Sequence, residues 1–403
     1  MSRLFEPEEL EGRAQRARAL MDEAGVDALV VTGDFSAGLN YYYFSGHLPR
    51  DYQLNYSRPH VMVLPRDGEP FLYVYGVNAQ NAVEQSWVED VETYDPPFSG
   101  ADLAAVMQKR GVTGRIGAEL GVDQRVAMPI REYEAFRAAL GDVEVVDASD
   151  LLWTLRMRKS DAELTYIKEA DRINGEVHRR AFAEIQPGDT EVDVARVYGA
   201  AMVECGAVRP PYGQILIVSE AKSRALGHRA RFLGPQADFS VSEGDLLFVD
   251  SGVVIEGYWA EFNRMGVVGQ PTPEQEQHHS AIRKIVQKSI DETLVPGRSF
   301  RDVMTDMIGF CADFGYGPDQ VTQYTGPPFF HLCHGIGLTS SEPPFVRMDS
   351  DKTLTPGMVL SVEAYLRPTG VTYGSEEDVV ITDDGCEVFS DTDDGLFIIE
   401  GPS

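Results

Sequence analysis

The spacing of apolar positions changes period several times along the chain, and each change marks an element. From Pro7 to Ala24, charged residues interleave with Leu10, Ala14, Ala17, Leu20 and Met21 at helical spacing. Proline suits the first helical turn, where a missing N–H is not needed, and Gly25 supplies the stop. The short apolar run ALVVT (28–32) predicts a buried strand. HVMVLP (60–65) and PFLYVYG (70–76) predict two more, parted by the turn residues Arg66, Asp67 and Gly68. RIGAEL (115–120) and VEVVDA (143–148) read as further strands with helices between them. Together these make an alternating α/β unit of roughly 150 residues, an ordinary domain size. A long helix follows, with Ser160 as N-cap and Glu163 at the capping-box position. The domain boundary is expected just before it, giving domains 1–154 and 155–403. The second domain is rich in strands joined by turns, with helices near 190–205, 273–292 and 300–314. No repeat period or low-complexity segment interrupts it.

Composition narrows the functional classes. At 403 residues the chain is too long for one ordinary core, and 43% hydrophobic with 10% aromatic content fits a globular protein. No apolar run approaches the roughly 20 residues of a membrane helix. The opening MSRLFEPEEL lacks an apolar signal core, so export is not expected. The four cysteines, Cys205, Cys311, Cys333 and Cys386, form no paired spacing, which fits a reducing cytoplasm. A net charge of -29 argues against nucleic acid or anionic membrane as partners. Such a surface suits a salt-adapted protein, or simply a well-solvated one.

Against this background, acids embedded in apolar strands of the second domain stand out, because a buried carboxylate needs a cation, a donor or a proton. VDSGVVIEGYWAEFNR (249–264) predicts a hairpin turning at Ile255-Glu256-Gly257, with Asp250 and Glu261 as direct or diagonal cross-strand neighbours on one face. FHLCHGIGL (330–338) places His331 and His334 before glycines that permit close backbone approach to a ligand. TPGMVLSVEAYL (355–366) carries Glu363 inward, and GSEEDVVIT (374–382) brings Glu376, Glu377 and Asp378 to another strand. One histidine and four carboxylates form a hard donor set suited to Mn²⁺, Co²⁺, Zn²⁺ or Fe²⁺.

In this order the motifs resemble the prolidase, creatinase and methionine aminopeptidase group, the pita-bread fold, over almost the whole chain. The resemblance implies a small creatinase-like α/β domain followed by a pita-bread domain, a curved antiparallel sheet flanked by helices. It implies two divalent transition metals held by Asp250, Glu261, His334, Glu363 and Glu377. His228, Glu363 and His331 fall in catalytic positions. Arg264 falls in a substrate-binding position, as do Tyr56 and Arg58, which resemble a pair that reaches into the partner subunit of a homodimer. The implied chemistry is hydrolysis of a small carboxylate-bearing C–N substrate, as in an Xaa-Pro dipeptidase or aminopeptidase. Glu363 would accept a proton, His228 would help stabilise an oxyanion, and Arg58 would hold the substrate carboxylate.

Several departures keep other readings open. Glu261 replaces an Asp, Asn263 a Thr, Cys333 a Gly, Ser341 the His of an HExP motif, and Ala364 a Pro. A creatinase-like amidinohydrolase, an ectoine-hydrolase-like enzyme and a dimethylsulfoniopropionate lyase-like enzyme share the architecture. A non-catalytic binding module fits less well, because all five ligand positions keep a residue able to ligate.

Overall fold

The computed structural model describes residues 4–34, 39–49, 58–207, 213–317, 320–321, 332–392 and 395–401. It divides into two compact units, Met1–Arg156 and Met157–Ser403. Among the described residues no helix is long and apolar enough to cross a membrane.

The first unit is built on a six-stranded mixed sheet. Its strands are β1 (Ala28–Gly33), β2 (His60–Pro65), β3 (Phe71–Tyr75), β4 (Val91–Tyr94), β5 (Ile116–Ala118) and β6 (Val145–Asp147), in the order β4-β3-β2-β1-β5-β6. The helix Pro7–Ala24 buries Leu10, Ala14, Ala17 and Met21 of the stripe expected from the sequence, with Leu20 half-buried, and ends on Gly25 at φ 63°. That left-handed conformation favours glycine. Val30, Val63, Phe71, Leu103, Met107 and Phe136 belong to the core on the sheet. At the carboxyl end of β5 lies Glu119, buried. It accepts hydrogen bonds from the Thr32 amide and hydroxyl, both at 2.8 Å, and from Asn40 Nδ2 at 2.7 Å. Arg156 in turn donates to Asn40 Oδ1 at 3.0 Å. Burial pushes the Glu119 carboxyl up to about 7, against the pull of Asn40, Thr32 and Arg156.

The second unit opens with the helix Asp161–Glu184, whose Ser160 and Glu163 form the expected reciprocal capping box. Among the described residues nine strands follow: β7 (Gly213–Ser219), β8 (Leu246–Ile255), β9 (Tyr258–Val268), β10 (Cys333–Gly335), β11 (Glu342–Phe345), β12 (Val359–Leu366), β13 (Tyr373–Ile381), β14 (Cys386–Val388) and β15 (Phe397–Ile399). They form two sheets, β15-β9-β8-β7 and β11-β10-β12-β13-β14. The helix Asp161–Glu184 packs Ala170, Ile173, Val177 and Ala181 into a core with Val249, Val253 and Ala260 of the first sheet. A second core joins Phe248 and Met265 to Leu360, Val362 and Val379, with Ile282, Ile285 and Met304 from the helices Pro273–Thr293 and Phe300–Asp313.

Between the two sheets, side chains do what backbone pairing does elsewhere. Among the described residues β15 pairs with β9 from Gly266 to Val268, and the β9 amides at 261 and 263 go to other acceptors. Carboxylates of β13 take them: Glu376 Oε2 accepts from Asn263 N and Asp378 Oδ2 from Glu261 N, each at 3.0 Å. The Trp259 amide donates to the Gly337 carbonyl at 2.7 Å, a link from β9 to the loop that follows β10. Acidic residues on β13 are therefore structural joints as well as a source of charge.

Candidate metal centre

The β8–β9 hairpin sets the first half of the site. Its turn lies at Glu256 (φ 49°) and Gly257 (φ 92°), two positive-φ residues in the tight connection that matches strand twist. The register pairs Asp250 with Asn263 and Gly252 with Glu261. Asp250 and Glu261 are thus diagonal neighbours on one face, one of the two arrangements expected. Phe262 and Arg264 alternate to the other face.

The second half comes from β10, β12 and β13. Period-two alternation puts Ser361, Glu363 and Tyr365 on one face of β12, while Leu360, Val362, Ala364 and Leu366 enter the core. His334 pairs with Ser361, and Glu363 lies directly opposite Glu376. Gly374, opposite Tyr365, has no room for a side chain, since a Cβ there would come within 2.5 Å of Phe248 and 2.9 Å of Asn263 Oδ1. That close approach lets the two sheets meet.

Glu261, His334 and Glu376, all buried, bring one ligand atom each to within 4.8 Å of one another. His334 Nε2 lies 3.5 Å from Glu261 Oε1 and 4.0 Å from Glu363 Oε1. Glu376 is held firmly. Ser361 Oγ donates to its Oε1 at 2.7 Å, and Asn263 Nδ2 and Tyr365 OH reach its Oε2 at 2.9 and 3.3 Å. Burial, followed by repulsion from Asp250, Glu376, Asp378 and Glu363, holds the Glu261 carboxyl well above the ordinary range. Burial also lowers the His334 imidazole, against the Gly335 carbonyl and Asp250, so it is neutral and able to ligate. Converging carboxylates that repel one another beside a neutral imidazole are the donor set a divalent cation fits.

The gathered group differs from the expected ligand set in holding Glu376, and it does not include Asp250 or Glu363. Glu377 was expected and Glu376 is found, because β13 alternation turns adjacent glutamates to opposite faces. Glu377 Oε1 instead accepts from Arg264 at 2.9 Å. Arg264 itself was expected to bind substrate. It is 2% exposed on the far face of β9, donating also to the carbonyls of Asn263, Glu376 and Thr392 and to Ser390 Oγ. There it neutralises Glu377. Asp250 is half-buried on the cluster face of β8. His228 lies in the 3₁₀ helix Gly227–Phe232, with its side chain outside the described residues, and Tyr56 and His331 also lie outside them. Arg58, half-buried in the first unit, has its guanidinium 5.6 Å from the Tyr75 ring centroid. Ser341 is exposed.

Other polar residues were named without a role or were missed. Asn263, in place of a Thr, clamps Glu376. Asp378 accepts the Glu261 amide while its own carboxyl is raised by burial and by Asp171. In a buried ion pair with Glu191 at 2.9 Å, Lys222 also donates to the carbonyls of Ile217 in β7 and of Leu233 and Gly234. Two-residue spacing from Glu376 was the one available signal for Asp378. The others are long-range contacts with no local signature.

Known proteins share this arrangement. The profile of metallopeptidase family M24 matches residues 165–383, and that of the creatinase/prolidase N-terminal domain matches 13–158. The chain is 26% identical over 386 residues to an Xaa-Pro dipeptidase of Pyrococcus furiosus, covering 94% of this chain and 98% of that protein. It is 27% identical over 390 residues to a probable dipeptidase, PepE, of Mycobacterium bovis, covering 95% of each. An Xaa-Pro dipeptidase structure from Bacillus anthracis superposes with a TM-score of 0.80 at 22% identity, covering 96% of this chain and 99% of that one, which is a likeness of fold. With a match across more than half its length, carried on a pita-bread unit that follows a creatinase-type one, the chain belongs to metallopeptidase family M24.

Proposed function

We propose that this protein is a metal-dependent hydrolase of Xaa-Pro dipeptides or closely similar small carboxylate-bearing C–N substrates. The observation that carries the reading is the gathering of Glu261, His334 and Glu376 within 4.8 Å, with Glu363 beside them. The names of the relatives support the substrate class. Glu261, His334 and Glu376 would hold the ion, flanked by Glu363 and Asp250, and Mn²⁺, Co²⁺, Zn²⁺ and Fe²⁺ are the candidates. Such an ion supplies Lewis acidity, which acidifies water and polarises a carbonyl.

The chain's own residues do the rest. Glu363, buried beside His334, would take the proton of the attacking water. His334, neutral, is not a competing acid. The Asn263, Ser361 and Tyr365 donors fix Glu376, so the cluster needs little reorganisation. In this reading His228 stabilises the developing oxyanion. Arg58 of a second copy, in a homodimer, holds the substrate carboxylate through its planar fork. The enzyme would work in the cytoplasm.

The test is elemental analysis of protein purified without chelator, paired with an assay of proline release from Xaa-Pro dipeptides. Bound transition metal and metal-dependent release are expected. Activity in metal-free protein, or metal-loaded protein inert towards every Xaa-Pro dipeptide, would overturn the reading.

A further inference from the structure

Strand register places Gln214 of β7, Gly252 of β8 and Glu261 of β9 in one row across the first sheet. The outer two backbones are about 10 Å apart, two strand spacings. The middle position carries no side chain, and a Cβ there would come within 3.2 Å of the Trp259 ring. The outer side chains meet over this gap, where Gln214 Nε2 donates to Glu261 Oε2 at 3.0 Å. An aspartate at 261, shorter by about 1.5 Å, would leave the amide out of hydrogen-bonding range. The hydrogen bond sorts the two carboxylate oxygens. Oε2 is turned to β7, and Oε1 is the atom that faces His334 Nε2 at 3.5 Å. A carboxylate free to rotate offers both oxygens, to one ion or shared between two.

We propose that Gln214 is a positioning residue for the cation centre: it turns Glu261 so that Oε1 faces His334, and so sets how tightly Glu261 holds a divalent ion. This rests on the metal-dependent reading above. Gln214 is exposed on β7, so its replacement leaves the core intact.

The test is a double-mutant cycle on the full chain, Gln214→Leu against Glu261→Asp. Mn²⁺ affinity is measured by calorimetric titration and bound metal by elemental analysis. The unsubstituted protein should bind Mn²⁺ tightly. Gln214→Leu should weaken that binding about tenfold, the scale of a lost hydrogen bond to a charged group. Gln214→Asn keeps the amide but not the reach, and should behave like Gln214→Leu. In the Glu261→Asp background, Gln214→Leu should change affinity less than about twofold, because an Asp there does not meet the amide. An equal loss in both backgrounds, or no loss in either, overturns the inference and leaves the metal-dependent reading standing. Absence of Mn²⁺ binding in all the proteins overturns both.

Discussion

Glu376 and Glu377 are adjacent and chemically identical, yet the strand gives them opposite tasks. Glu376 faces Glu261 and His334, whereas Glu377 meets Arg264 on the other side. Replacing each in turn should separate the tasks. Glu376→Ala should weaken Mn²⁺ binding by about 100-fold or more, beyond the usual effect of losing an outer-shell contact, as measured by calorimetric titration. Glu377→Ala should leave Mn²⁺ affinity within about threefold but lower unfolding stability by about 3 kcal/mol in urea, because Arg264 loses its counter-charge while buried. The reverse pattern would return Glu377 to the ligand set. Glu119 offers a second residue-scale test, in the first unit. Its carboxyl is raised from 4.5 to about 7 in the fold. Its stabilising contribution is therefore full below pH 4.5 and declines as pH rises to 7, since the unfolded chain gives up the proton more readily. Unfolding of the protein and of Glu119→Gln, compared from pH 4.5 to 8, should show the difference in stability falling by on the order of 3 kcal/mol with rising pH. A difference independent of pH would mean that Glu119 is ionised throughout.

Elements account for what was legible in the sequence and what was not. The β8–β9 hairpin was readable because its information is local: two strands, with a connection at Glu256-Gly257 whose positive φ values need residues that tolerate them. Gly257→Ala should accordingly lower stability by about 1–2 kcal/mol, read as a lower midpoint in chemical unfolding. An unchanged midpoint would show that the turn adapts at no cost. The capping box of Asp161–Glu184 and the apolar stripe of Pro7–Ala24 were legible for the same reason. β13 was not. Its residues are buried on both faces, apart from a half-buried Glu377, so alternation of apolar and polar residues does not mark which glutamate turns to the site. Only the pairing of Glu363 with Glu376 decides it, and that pairing spans two strands. Arg264 misled for a related reason. A charged residue next to a ligand strand looks available for substrate, whereas here it is consumed by Glu377, Ser390 and backbone carbonyls that lie more than 100 residues away. The Gln214 bond to Glu261 is likewise invisible without the three-strand row.

At the scale of the whole molecule, a net charge of -29 makes any added cation stabilising to some degree by screening, so a bound ion must be told apart from an ionic atmosphere. The two differ in where they act. Screening acts on the surface of both units, while the cluster of Glu261, His334 and Glu376 lies wholly in the unit Met157–Ser403. Trp259 is the single tryptophan of that unit; Trp87 and Trp153 belong to the first. Fluorescence of a Trp87→Phe, Trp153→Phe variant therefore reports unfolding of the second unit, and a Trp259→Phe variant reports the first. At fixed ionic strength, Mn²⁺ at 100 times its dissociation constant should stabilise the second unit by about 2.7 kcal/mol over chelator-treated protein and leave the first unit unmoved. Glu376→Ala should abolish that increment and keep the response to NaCl. An equal shift in both units, or one that survives Glu376→Ala, would mean that manganese acts only through screening. The converging carboxylates would then have to be held together by protons, and the raised Glu261 and Asp378 carboxyls name the first two places to look for them.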